Sequence, residues 1–182
     1  MSGWINLANL FTLLRLALAP VIVWAILQGS HLLALVLFVF AGFTDVIDGA
    51  LARGFGQVTQ WGAYLDPIAD KCLLSGIFLA LGSSGIVPWW FVAVVFGRDL
   101  FILLGVLGFL SLTKVRAFPP SVWGKASTFI QICTAVVWMT RNTLHSPVLD
   151  ALASGMLWVC AVFTIWSGFD YTLRGIQLTR AH

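Results

Sequence analysis

The sequence predicts an all-α fold: a polytopic membrane protein with six transmembrane helices in a single bundle, residues 1–182 forming one transmembrane domain. Three observations carry that reading. Apolar residues make up 60% of the chain and charged residues 9%, far from the roughly 25% charged residues of soluble domains. The mean hydropathy is +0.98. Apolar stretches of about 20 residues, the length that crosses a hydrocarbon core, recur six times between short breaks marked by Gly, Pro or charge.

The first stretch begins GWINLANLFTLLRLALAP and runs to Leu27. Asn6, Asn9, Thr12 and Arg15 recur in it every three residues, a narrow polar stripe on a helix otherwise fit for lipid. The stripe is expected to wall a polar site, the competing reading being that Arg15 snorkels to lipid phosphate. After a break at Gly29 to His31, a second span is placed from Leu32 to Arg53. GFGQVTQW then leads to a third from Gly62 to Leu81.

GSSGIVP turns the chain into a fourth span, Trp89 to Leu112, with Arg98 and Asp99 near its middle. Opposite charges at that depth are expected to face the bundle interior. Adjacent helical residues point about 100° apart, so the two are not expected to satisfy each other fully. Acceptor contact and a structural ion pair between helices both stay open for Arg98. The basic, Pro-containing TKVRAFPPSVWGK interrupts the helices. A fifth span is placed from Ser121 to Met139, with Lys125, Thr128 and Gln131 on one side of its first turns. Lys125 reads as an anion ligand or as a topology charge. RNTLHSP is read as the next turn and Val148 to Tyr171 as the last span, with Asp170 and Arg174, i and i+4, as a surface pair.

The remaining composition signals are mild. Cys72, Cys133 and Cys160 lie scattered in apolar runs and read as small core residues with no disulfide or metal role. The net charge of +3 and pI near 9.0 point to orientation and anionic lipid, with no nucleic-acid partner. No cleavable signal is expected in the first stretch. Arg53, Lys114, Arg116, Lys125, Arg174 and Arg180 gather on one side of the expected topology, with Arg141 on the other. The positive-inside rule makes the first side cytoplasmic, the inner membrane in a bacterium.

The chain is organised around DVIDGALARGFGQVTQWGAYLDPIAD, which holds four of the seven acidic residues. Asp45, Asp48, Gly49, Ala52 and Arg53 share one helix face, and Gly62, Asp66 and Asp70 share one face of the next helix. An ionised carboxylate at bilayer depth is costly, so four of them call for bound cations. Hard divalent ions such as Mg or Mn take carboxylate oxygens, and two of them would balance this charge and clamp a diphosphate. Such a clamp suits displacement at phosphorus, with one less committed carboxylate as base. Gly49 would let a bulky substrate group approach the backbone and Arg53 could bind a phosphate oxygen; helix packing and an end charge are the plainer readings of the two.

These eight positions reproduce the signature D(x)2DG(x)2AR(x)8G(x)3D(x)3D, and the chain is identified on them as resembling the CDP-alcohol phosphotransferases. The resemblance implies transfer of a phosphatidyl group from CDP-diacylglycerol to an alcohol, with release of CMP. It implies metal binding at Asp45, Asp48, Asp66 and Asp70, with Asp70 also the catalytic base. Gly49 then faces the cytidine nucleotide and Arg53 a phosphate, and Ala52, Gly62, Thr12 and Arg15 complete the expected CDP-diacylglycerol set. The runs LDPIADK, GRD, PSVWGKASTFIQ and FTIWSGFDY resemble the branch of phosphatidylglycerophosphate and cardiolipin synthases. The acceptor is therefore expected to be phosphatidylglycerol or glycerol 3-phosphate, met by Arg98 and Lys125. Users of glycerol 3-phosphate usually carry Arg-Glu in the fourth span and a further Arg two turns on. Here Arg98-Asp99 is followed by FILLGVL, which leans toward phosphatidylglycerol. Members of the family are often homodimers.

Two other classes fit less well. A small cation transporter would spread its acidic groups along a path through the bilayer, whereas these crowd at one loop. A prenyltransferase using Asp-bound Mg would need two separated Asp-rich motifs, and this chain has one.

Overall fold

The computed structural model describes residues 7–55, 60–112 and 121–180, with side chains over 12–44, 69–105 and 121–176. The described residues form six α-helices and contain no strand: α1 Leu7–Leu27, α2 His31–Phe55, α3 Gln60–Ser83, α4 Trp89–Leu112, α5 Val122–Leu144 and α6 Pro147–Arg180. Each expected apolar stretch is thus helical. Among the described residues, Pro147–Ile176 is long and apolar enough to cross a membrane, and Thr12–Leu27 and His31–Thr44 are shorter apolar runs.

Local chemistry sets the helix ends. α1 stops at Gly29, whose φ of 74° is open to glycine without a Cβ penalty. Gly29 N–H donates to Ile26 O at 3.0 Å and Ser30 N–H to Ala25 O at 2.9 Å, the paired bonds that close a helix C-terminus. α3 ends the same way at Gly85, with Ile86 N–H on Leu81 O at 3.0 Å. α5 begins at Ser121, whose hydroxyl accepts from Trp123 N–H at 3.2 Å and Gly124 N–H at 3.4 Å, an N-cap for otherwise unpaired amides.

α2 and α3 run one or two residues past their expected limits, and α5 and α6 run further. α5 continues past Met139 through most of RNTLHSP, and there Asn142 and Thr143 fold their side chains back onto the carbonyls of Trp138 and Met139 at 2.8 and 2.9 Å. Arg141 lies over the Trp138 ring at 5.0 Å. The helix stops only where His145 takes φ 44°. α6 runs past Tyr171, its extra turns carrying a Thr172 bond to Gly168 O at 3.0 Å and the Arg174–Asp170 pair at 2.8 Å. That pair is half-buried rather than superficial. Cys72, expected in the core, is exposed; Cys133 is partly buried and Cys160 buried, and all three are free thiols.

The chain divides into two compact units: Met1–Ile86 with Trp138–His145, and Val87–Val137 with Ser146–His182. In the first, α1 packs on α2 and α3 through small and branched residues: Ala19, Ile22, Ala25, Ala34, Ala41 and Ile77 are buried. Small residues let helix backbones approach where lipid removes the hydrophobic drive between helices. In the second, α4 packs on α6 around Val87, Phe91, Val95, Ala153 and Leu157.

Candidate active site

Each unit buries a polar cluster against this apolar background. In the first, Gly76 of α3 sits so near α1 that a Cβ there would lie 3.1 Å from Val23 Cγ2. The close approach of the two helices brings Arg15 of α1 to Asp70 of α3. Arg15 Nη1 donates to Asp70 Oδ1, with the arginine side chain 2% exposed and the aspartate 50%. Thr12, one turn before Arg15, is also buried. Arg15 therefore does not snorkel: it turns inward and orients a carboxylate that stays half open. A charge-assisted bond of this kind balances the aspartate charge and fixes its direction.

The other motif positions lie on the same two helices. Asp45, Asp48, Gly49, Ala52 and Arg53 fall on the last turns of α2, and Gly62 and Asp66 on the first turns of α3. Their side chains lie outside the described residues, so the spacing of the motif is carried by helical backbone on both sides. Four aspartates offer hard oxygen donors alone, a donor set that fits Mg or Mn. Among the described residues no group of three or more His, Cys, Asp or Glu is placed to hold a metal; Asp45, Asp48 and Asp66 are outside that set.

The second cluster surrounds Arg98. Its Nη1 donates to Asp99 Oδ1 at 2.7 Å and its Nη2 to Ser167 Oγ at 2.5 Å. The guanidinium carbon stands 5.9 Å from the centre of the Tyr171 ring, within reach of a cation–π contact. Arg98 is 8% exposed, and its Nε–H is buried with no hydrogen-bond partner. Neighbouring helical residues thus do meet, because the long arginine stem curls round the helix, yet the pair leaves one donor unsatisfied. Arg98 reaches another helix through its hydrogen bond to Ser167. Lys125 does not join this cluster: its side chain is exposed.

Tyr171 and Ser121 frame the arginine. Ser121 N–H donates to Tyr171 Oη at 3.2 Å, and the Ser121 hydroxyl donates to Asp170, which pairs with Arg174. Gly124 makes room: a Cβ there would lie 3.0 Å from Tyr171 Cε2 and 3.4 Å from Arg98 Nη2. Deeper in the seam between α5 and α6, buried Gln131 donates from Nε2 to Thr164 Oγ1 at 3.3 Å, and Ser127 Oγ lies 3.3 Å from the same oxygen. Sequence reasoning did not single out Ser167, Tyr171 or Gly124. The signal was present in Ser167 and Tyr171, four residues apart on one helix face, and in Ser121 just before a helical run.

The family model described as CDP-alcohol phosphatidyltransferase matches residues 5–166. A protein of Bacillus subtilis named CDP-diacylglycerol–glycerol-3-phosphate 3-phosphatidyltransferase is 33% identical, covering 91% of this chain and 93% of that one. A Mycobacterium tuberculosis protein named "Probable phosphatidylglycerophosphate synthase" is 33% identical over 94% of this chain and 82% of its own length. A Drosophila melanogaster protein named "Probable cardiolipin synthase (CMP-forming)" is 31% identical over 81% of this chain and 52% of its own length.

Proposed function

We propose, from the premise that this chain belongs to the CDP-alcohol phosphatidyltransferase family, that it transfers the phosphatidyl group of CDP-diacylglycerol to phosphatidylglycerol or glycerol 3-phosphate. The enzyme class, a transferase of phospholipid biosynthesis, follows from the family itself. The observation that carries the donor assignment is the intact eight-position motif, borne on helical backbone in α2 and α3.

In this reading all six helices span the membrane, both termini and the aspartate motif are cytoplasmic, and the working form is a homodimer. The outward faces support a lipid setting: Trp24, Val36, Phe43, Leu104, Phe129 and Trp158 are all exposed. An apolar exterior this extensive is foreign to a water-solvated monomer.

Asp45, Asp48, Asp66 and Asp70 would hold two divalent cations, Mg or Mn, which when bound supply positive charge at a diphosphate and lower the pKa of an approaching hydroxyl. The protein's own groups do the rest. Gly49, Ala52 and Gly62 keep the helix faces low so the cytidine nucleotide can approach, and Arg53 and Thr12 bond its polar atoms. Arg15 orients Asp70. Asp70 takes the proton of the acceptor hydroxyl while that oxygen bonds to the phosphatidyl phosphorus, and the bond from that phosphorus to the bridging oxygen breaks, so that CMP leaves with the electron pair. Arg98 meets the acceptor headgroup, with Lys125 as a second, exposed cation. The test is to give purified enzyme CDP-diacylglycerol with each acceptor and identify the lipid product. A product with neither would refute the acceptor pair.

A further inference from the structure

We infer that Tyr171 is a positioning residue for the transfer reaction: its ring, anchored by its hydroxyl to the start of α5 and admitted by Gly124, fixes the direction in which Arg98 presents its guanidinium to the acceptor headgroup. The inference rests on the reading that Arg98 meets the acceptor, and it goes beyond it by naming what aims that arginine.

An arginine stem is long and flexible, so a guanidinium that is to bind well has to be held in place before its ligand arrives. Helix α6 supplies much of that hold. A Cβ on Gly168 would lie 3.7 Å from Arg98 Cγ, an ordinary contact, so the arginine stem runs along the helix surface there. Ser167 Oγ accepts from Nη2 at 2.5 Å. Four residues on, the centre of the Tyr171 ring stands 5.9 Å from the guanidinium carbon, within cation–π range. The ring is itself fixed from α5, because its hydroxyl accepts the Ser121 N–H at 3.2 Å. Gly124 lets ring and guanidinium lie there together. A Cβ at this position would stand 3.0 Å from Tyr171 Cε2, 3.1 Å from its Oη and 3.4 Å from Arg98 Nη2, so ring or arginine would have to shift. The bonds to Asp99 and Ser167 use the two Nη ends, and the Nε–H has no hydrogen-bond partner. A guanidinium held at those ends and over one face keeps donor capacity for a phosphate oxygen.

The experiment uses the purified full chain in mixed micelles with CDP-diacylglycerol and, in separate series, dioleoyl-phosphatidylglycerol or sn-glycerol 3-phosphate. The readouts are kcat and the KM of donor and acceptor. Tyr171→Leu removes the aromatic face, and Gly124→Ala wedges the ring from the other side. Each is expected to raise the acceptor KM about tenfold while the CDP-diacylglycerol KM stays within about twofold. Tyr171→Phe keeps the ring and loses only the bond from Ser121, so its acceptor KM is expected to rise about threefold or less. In an Arg98→Gln background Tyr171→Leu should add nothing, since it acts through that arginine. A merely structural role would instead add its full effect there and move the donor KM as well. Gly124→Ala carries the test if Tyr171→Leu does not purify folded. With Arg98→Gln raising the acceptor KM, any of three results overturns the inference alone: an unmoved acceptor KM in the Tyr171 and Gly124 variants, a donor KM that rises in step, or additivity with Arg98→Gln. An Arg98→Gln enzyme with unaltered acceptor KM overturns the reading beneath it, and the inference with it.

Discussion

Arg15 on α1 and Asp70 on α3, 55 positions apart in the chain, meet through a guanidinium–carboxylate hydrogen bond in which the arginine is buried and the aspartate half open. The pair joins the first helix to the last position of the aspartate motif. It gives Asp70 a fixed direction while leaving part of its carboxylate accessible, as a proton acceptor needs.

Asp70→Asn should therefore abolish CMP release while leaving metal-dependent nucleotide binding in place. Removing the carboxylate from a buried guanidinium should also cost about 3 kcal/mol, the lower end for a broken buried pair because Asp70 is half exposed. Arg15→Lys, which cannot reproduce the planar donor geometry, should lower kcat with a smaller loss of stability. Assays of CMP release and of nucleotide binding, run beside thermal melts, separate the effects. Retained turnover in Asp70→Asn would remove its role as base.

Ser121 caps α5 and reaches Asp170 of α6 at the same time. Ser121→Ala should cost about 1–2 kcal/mol, from the lost cap and the lost hydroxyl bond. A melting temperature equal to wild type would mean that this junction contributes nothing measurable.

His31, just outside the expected second span, is held below its ordinary value of 6.5, first by burial and then by His145. The folded protein therefore resists protonation, and the unfolded chain binds more protons between the lowered pKa and 6.5. Stability rises with pH across that window and falls as the medium is acidified through 6.5 toward the lowered value. Melts at about pH 7.5 and about pH 5.5 should show the loss, and His31→Gln should flatten it. An equal drop in the variant would assign the acid sensitivity to other groups.

Chelation offers a separate check on the aspartate motif. Treatment with EDTA should abolish turnover, and Mg or Mn should restore it, if the four motif aspartates hold divalent cations at a diphosphate as proposed. Full activity in EDTA-treated enzyme would contradict the two-cation reading.

The helices were legible because their chemistry is local. Apolar runs of spanning length gave all six, and Gly29 and Gly85 marked two of the ends. The errors came where side chains decide. α5 runs through the polar Asn142 and Thr143 beyond its expected stop, and Cys72 turns outward, neither of which hydropathy reports. The site was legible in part. The spacing of Thr12 and Arg15 on one face was readable, and so was the isolation of Arg98 at depth. That Arg15 would reach Asp70, or that Arg98 would take Ser167, depends on helix packing between residues 55 and 69 positions apart, which no local pattern encodes.

The most direct test of the central claim is acceptor-dependent CMP release from CDP-diacylglycerol by the purified chain in detergent with Mg or Mn. One CMP should appear for each lipid product formed, and none in Asp45→Asn, Asp48→Asn or Asp70→Asn enzyme that still melts cooperatively. A folded wild-type protein that releases no CMP with any alcohol, yet moves divalent cations into liposomes, would contradict the account.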